Sequence, residues 1–269
     1  MDADARRARF AELHAREELF LLPNPWDVGS ARLLASLGFE ALATTSQGFA
    51  WSIGRLDQQV SRDELVAHVR DLTAATELPL NVDSERCYPD DPGGVAETVA
   101  MLAEAGAAGF SIEDYDPATD RIDDVGLAAE RVAIAAAANR VLPTPMVLTG
   151  RAENHIRGVG DLDDTIARLI AYRDAGADAV YAPGLTTIEQ IAAVVDAVRC
   201  PVNVLAIPGT PTIAELAAAG VRRVSTGSLL ASRAYGALVS AATVLRDEGT
   251  SAYADGALGG DTVRDAFQS

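Results

Sequence analysis

The sequence predicts a single α/β domain built as a (β/α)8 barrel of the TIM type. Three observations carry that expectation. A phrase running from a helix through a glycine into a short apolar strand recurs four times, as LLASLGFEALATTS, MLAEAGAAGFSIED, LIAYRDAGADAVYAPG and IAELAAAGVRRVSTGS, and each copy is one helix–strand unit. Short apolar stretches fall at about eight places, with helical patterns between most of them. The residues that follow these stretches are polar, as in barrels, where chemistry collects at the C-terminal ends of the strands. A doubly wound open sheet is the alternative, because a repeat does not by itself show closure. No GxGxxG opens an early helix, so its dinucleotide-binding form has no support.

Taken in order, the first strand is expected around 19–23, after an N-terminal segment of alternating charge. The second, around 41–45, runs into Ser46, Gln47 and Gly48, and the third, around 79–83, ends at Asp83 with Glu85 just beyond. The fourth, around 109–113, leads to Glu113 and Asp114; the fifth, around 145–150, reaches Arg151 and Glu153. The sixth falls around 179–183, the seventh, around 201–206, carries Asn203, and the eighth, around 223–226, ends at Thr226, Gly227 and Ser228. The segment LLASRAYGALVSAATVLRDEG, residues 229 to 249, is a suitable amphipathic helix, either the eighth of its own barrel or one swapped onto a neighbouring subunit. Residues 1–248 are therefore expected as one barrel domain, and 249–269 as a Gly- and Ala-rich C-terminal tail.

Composition narrows the function classes. A net charge of −17 and a pI near 4.5 argue against nucleic acid, whose binding is driven by basic patches. No segment reaches about 18 uninterrupted apolar residues, and the N-terminus lacks a signal-peptide core, so no membrane partner and a cytoplasmic location are expected. Cys87 and Cys200 have no metal-type spacing and read as reduced thiols. All 22 basic residues are arginine. Without lysine, Schiff-base aldolases, covalently bound pyridoxal phosphate and the Walker phosphate loop are excluded.

Asp83 and Glu85 alternate along a strand end and so point the same way, which sets their charges against each other unless a cation lies between them. Together with Glu113 they form an oxygen-rich set suited to Mg²⁺ or Mn²⁺ rather than zinc. Capping of loops, or pairing with Arg86 and Arg151, is the alternative use of these acids. Arg151, expected at the barrel mouth, offers a fork of donors for a carboxylate or phosphonate, which points to a small anionic substrate. Ser46, with the backbone N–H groups of Gln47 and Gly48, either binds another carboxylate oxygen or forms a tight turn.

In order along the chain, TTSQG, GRLD ending at Asp57, VDSE, SIED, GRAEN, PVNVL and STGS resemble the signature of the isocitrate lyase/phosphoenolpyruvate mutase superfamily over roughly residues 20 to 235. The resemblance implies an α/β barrel that binds Mg²⁺ and a small α-oxo acid and makes or breaks C–C or P–C bonds through an enolate-like intermediate. It implies Asp83 as the direct metal ligand, with Asp57, Glu85 and Glu113 holding the ion directly or through water. Ser46, Gln47 and Gly48 would hold the substrate carboxylate, and Arg151 and Asn203 would contact its anionic groups. Family lyases carry a Lys/Arg-Cys-Gly-His loop after the fourth strand. Here that stretch, SIEDYDPATDRIDD, has no Cys, Lys or His. It offers Tyr115 as a proton donor or Arg121 as a closing group, the alternative being surface-loop residues without catalytic roles, and Cys87 is either a substitute thiol near the acids or a small buried cysteine. Glu113, Arg151 and Tyr115 are thus the catalytic candidates. A Mg²⁺-dependent carbon–carbon lyase of the methylisocitrate lyase or oxaloacetate decarboxylase kind is the first expectation. Phosphonate P–C chemistry and a non-catalytic oxo-acid binder are the alternatives. A homotetramer or homodimer is implied by the same resemblance.

Overall fold

In the computed structural model, which describes residues 1–268, every apolar stretch singled out above forms a strand. These are β1 (Phe20–Leu22), β2 (Leu42–Ala43), β3 (Leu80–Asp83) and β4 (Gly109–Glu113), then a short hairpin of β5 (Tyr115–Asp116) and β6 (Arg121–Ile122), then β7 (Val147–Arg151), β8 (Ala179–Tyr181), β9 (Val202–Leu205) and β10 (Arg223–Ser225). Eight of them pair in parallel in the order β2-β3-β4-β7-β8-β9-β10-β1. The ring closes between β1 and β2 without a ladder. Ala43 N donates to Pro23 O at 3.1 Å, and the Asn24 amide donates to Thr44 O at 2.7 Å while its Oδ1 accepts from the N–H groups of Thr226 and Gly227. One buried asparagine thus ties the ends of three strands. The result is the expected (β/α)8 barrel, and the open-sheet alternative is set aside.

The repeated glycine has a shared cause. Gly38, Gly106, Gly176 and Gly220 each follow a helix with φ between 83° and 113°, the left-handed exit that lets the chain turn directly into the next strand. The helices are α1 (Ala3–Ala15), α2 (Val28–Ser36), α3 (Ser46–Ser52), α4 (Arg62–Ala75), α5 (Gly94–Glu104), α6 (Val125–Arg140), α7 (Leu162–Asp174), α8 (Ile188–Val198), α9 (Ile213–Ala218), α10 (Leu229–Glu248) and α11 (Gly260–Gln268). Most of their starts are capped by side chains, α5 and α10 being exceptions, with capping boxes at Asp27, Ser61 and Thr212. The segment read as a tail contains α11, which folds back on α2: Ala266 is buried and Arg32 donates to Phe267 O at 2.8 Å.

Helix α1 closes the N-terminal end of the barrel. Arg7 donates to Ala103 O and Ala107 O, just before β4, and Arg6 to Thr73 O. Phe10 enters the barrel beside Gly109, where a Cβ would stand 2.5 Å from its ring, so that strand position must stay bare. His14 packs edge-on against Phe10 and Phe20. Its Nδ1 lies 2.8 Å from Phe10 O and so carries the proton, leaving Nε2 to accept from Arg223 at 3.1 Å.

Both buried histidines stay neutral in the fold, chiefly through burial, with His14 pushed down to about 3 and His68 to about 4. The unfolded chain protonates them below about pH 6.5. Unfolding therefore takes up protons in this window, and the stability tied to each ring is full above about pH 6.5 and falls as the pH drops toward the folded value. His14→Gln should show a smaller loss of stability between pH 7 and pH 4 than the wild type, by on the order of 3 kcal/mol. Urea midpoints across that range measure it, and parallel curves would contradict it.

Candidate active site

A cavity of about 340 Å³ opens at the C-terminal ends of the barrel strands. Asp83, the last residue of β3, projects into it. Its carboxylate accepts from Ser46 N at 3.1 Å and from Arg151 Nη1 at 3.3 Å, while its own N–H donates to Thr44 Oγ1. Beyond it the chain takes left-handed conformations at Glu85 (φ 50°), Cys87 (φ 62°) and Tyr88 (φ 48°). Such backbone strain in non-glycine residues is characteristic of functional loops. Glu113 at the end of β4 is buried behind Arg151, and its N–H donates to Glu85 O. Asp57 arrives on the loop after α3, and the neighbouring Gln58 donates to Glu113 Oε1 at 3.1 Å.

The four acids are placed where their charges conflict. Burial, then Asp83 and Asp57, push Glu85 up to about 8. Asp57 is raised by burial and by Asp83, against a hydrogen bond from Ser46. Glu113 is raised well above the carboxylate range by burial, with Arg151 opposing the shift. Arg151 lies among them, with Nη1 3.2 Å from Glu113 and Nε 2.6 Å from Glu153. Even so, Asp57 Oδ1 and Glu85 Oε1 remain buried without a hydrogen-bond partner. Partnerless carboxylate oxygens in a repelling, all-oxygen set fit a hard divalent cation. Among the described residues no three such groups converge tightly enough to hold an ion unaided. That is compatible with Mg²⁺, which keeps several waters and takes only one or two carboxylates directly.

Of the other expected residues, Ser46, Gln47, Arg151 and Asn203 line the cavity. Ser46 and Gln47 belong to α3 rather than to a turn, and Thr45 caps that helix. Gly48 is buried behind them: its N–H donates to Thr45 Oγ1, and a Cβ there would stand 2.6 Å from Thr45 Cγ2 and 3.1 Å from Trp26 Cβ. The glycine serves packing, so its expected approach to substrate is corrected. Tyr115 is likewise outside the cavity lining, with its hydroxyl donating to Asp120 at 2.9 Å and the Arg157 guanidinium over its ring. Arg121 is exposed on the hairpin. Cys87 faces the hydrophobic core, and burial pushes its thiol up to about 12.

Several residues of the site escaped the sequence reading. Tyr181 lines the cavity beneath Arg151, whose Cζ is 5.3 Å from its ring centroid. Asn81, Arg157 and Arg223 line it too. Asp114 supports the wall from behind, accepting from Tyr172 Oη at 2.6 Å, Glu153 N at 2.8 Å and Arg168 Nη1 at 3.1 Å. An arginine inside a central strand, as in VRRVS, was the available signal for Arg223, since such positions are otherwise apolar.

A closed α/β barrel with acids and a guanidinium gathered around a cavity at its strand ends is the architecture of a barrel enzyme for a small anion. The chain belongs to the phosphoenolpyruvate phosphomutase family, whose model matches residues 10–246, and so to the isocitrate lyase/phosphoenolpyruvate mutase superfamily of lyases and mutases. It is similar to an uncharacterised protein of Mycobacterium tuberculosis, 35% identical over 88% of this chain and 89% of that one. It is also similar to the oxaloacetate decarboxylase of Paraburkholderia xenovorans, 32% identical over 83% of this chain and 75% of the relative. Among solved structures, a candidate lyase/mutase from Burkholderia cenocepacia superposes with a TM-score of 0.94 at 49% identity, covering 99% of this chain and 97% of that one.

Proposed function

We propose that this chain is a Mg²⁺-dependent lyase that cleaves a carbon–carbon bond of a small α-oxo or 2-hydroxy carboxylate and releases an oxo acid such as pyruvate. The observation that carries the reading is the pair of partnerless buried oxygens on Asp57 and Glu85, both acted on by the charge of Asp83, with Asp57 and Asp83 lining the cavity and Glu85 outside its lining. Asp83 would hold the ion directly, with Asp57, Glu85 and Glu113 holding it directly or through water; Mn²⁺ suits the same donors. When bound, the ion supplies Lewis-acid stabilisation of the charge that develops on the oxo group as the adjacent bond breaks.

The chain's own residues do the rest. Arg151, oriented by Glu153 and Glu113, presents its guanidinium to a substrate carboxylate. Ser46 and Gln47 at the start of α3 face the same space, and Asn203 borders it from β9. The Tyr115 hydroxyl is committed to Asp120 and the Cys87 thiol to the core, so neither delivers a proton to the cavity. That arrangement suits a reaction such as decarboxylation of oxaloacetate, in which solvent can protonate the product carbon. The oxaloacetate decarboxylase relative supports the same branch.

The family's own description keeps phosphonate P–C chemistry as the second reading. Turnover followed by NMR, with oxaloacetate, 2-methylisocitrate, dimethylmalate, phosphonopyruvate and phosphoenolpyruvate, separates them. Mg²⁺-dependent release of an oxo acid from a carbon acid supports the lyase. Release from phosphonopyruvate alone would move the assignment to the phosphonate branch. Oxalate binding with no turnover would favour a binding protein.

An assembly of two or four copies is part of the proposal. The 20-residue α10 buries only Ala231, and Leu238, Val239 and Leu245 along it are exposed, an apolar surface suited to a neighbouring copy. Sedimentation at micromolar concentration should give a dimer or tetramer; a monomer would contradict it. A cytoplasmic location accords with the two free thiols. Among the described residues no helix is long and apolar enough to cross a membrane.

A further inference from the structure

Arg223 is 2% exposed, and every side chain it touches is neutral. Nε donates to Asn203 Oδ1 at 2.9 Å, Nη2 to Thr149 Oγ1 at 3.1 Å, and Nη1 to the Nε2 of His14 at 3.1 Å. Three of its five N–H groups are thereby used and two remain. Among the described residues no carboxylate pairs with it, in a chain with 39 acidic side chains. Arg151 differs, because Asp83, Glu113 and Glu153 surround it and its charge is already answered. The uncommitted positive charge of the cavity therefore lies at the floor, at Arg223.

A second observation points the same way. Asn81, 4% exposed and also lining the cavity, has no side-chain hydrogen bond among the described residues, and its Oδ1 is buried without a partner. Barrel interiors are ordinarily filled by branched apolar side chains, and an unanswered buried charge is costly. The Asn81 Oδ1 is an acceptor and asks for a donor, such as a substrate hydroxyl; it is the unbonded N–H groups of the same amide, with the two free N–H groups of Arg223, that lack an anion to complete them.

We infer that Arg223, with the Asn81 amide on the same cavity lining, forms a second anion subsite that takes the far carboxylate of an α-oxo or 2-hydroxy dicarboxylate. The inference rests on the oxo-acid reading above, with the oxo-acid end of the molecule at Arg151 and the acid cluster. The substrate is then a dicarboxylate lying along the barrel axis, and Arg223 sets the preference for a terminal carboxylate over a methyl group.

Equilibrium binding with Mg²⁺ present tests it, using chain-matched pairs: 2-oxopentanoate against 2-oxoglutarate, and 2-oxohexanoate against 2-oxoadipate. The wild type should bind one dicarboxylate about tenfold or more tightly than its monocarboxylate partner. Arg223→Gln should remove that preference while leaving monocarboxylate affinity within about twofold. Equal weakening of both members of a pair would show that Arg223 only supports the fold, and would overturn the subsite. If Arg223→Gln does not fold, the wild-type comparison decides, with Asn81→Ala as the second variant expected to reduce the preference. Monocarboxylates binding with no dicarboxylate advantage would sink the subsite and leave the oxo-acid reading standing. Failure of all four acids to bind would overturn that reading and the subsite with it.

Discussion

Asp83→Ala is expected to lower kcat/KM by about a thousandfold, or about 4 kcal/mol of transition-state stabilisation, while leaving the fold intact. The contrast between the two effects is what makes the variant informative. Asp83 is the acid that raises both Asp57 and Glu85, and removing it relieves repulsion within a buried, metal-free cluster. Against that relief stands the loss of its contacts with Ser46 N and Arg151. In EDTA the unfolding free energy should thus stay within about 1 kcal/mol of wild type. An enzyme in which Asp83 merely braced Arg151 would lose stability as well as activity, and its residual turnover would not depend on added Mg²⁺.

The second large effect is on stability. Asp114→Ala should destabilise the protein by about 4 kcal/mol, because it removes one partner of a buried charge network. Arg168 would lose its buried carboxylate, and the Tyr172 hydroxyl and Glu153 N–H would lose their acceptor, all at a residue 1% exposed. For a domain of this size that corresponds to a drop in melting temperature on the order of 10 °C. Activity should fall too, since Glu153 orients Arg151. Differential scanning calorimetry checks the first effect; a change under about 1 kcal/mol would mean the network contributes little.

The barrel was legible because its signal repeats. Four glycine exits and eight apolar stretches each mark a unit boundary, and local chemistry suffices to read them. The acid cluster was legible for a related reason: Asp83, Glu85 and Glu113 fall at strand ends, which a barrel brings to one face. The hairpin of β5 and β6 was not, because strands of two residues carry no periodicity. Gly48 was read as an approach for substrate, yet its bareness is imposed by packing against Thr45, Trp26 and Ala231, the last two of which no local window contains. Tyr115 sits in the right loop, but the Asp120 and Arg157 contacts that hold it depend on how the hairpin folds. The helix in the presumed tail was missed because the element it packs on is α2, at the other end of the chain.

Direct titration with Mn²⁺, followed by electron paramagnetic resonance in the wild type and in Asp83→Ala, tests the central claim that these acids form a metal site. One ion per chain should bind to the wild type, oxalate should perturb its signal, and the Asp83→Ala chain should bind none at the same concentration. Free Mn²⁺ signal throughout, or equal binding in both proteins, would contradict the assignment of the acid cluster as the metal centre.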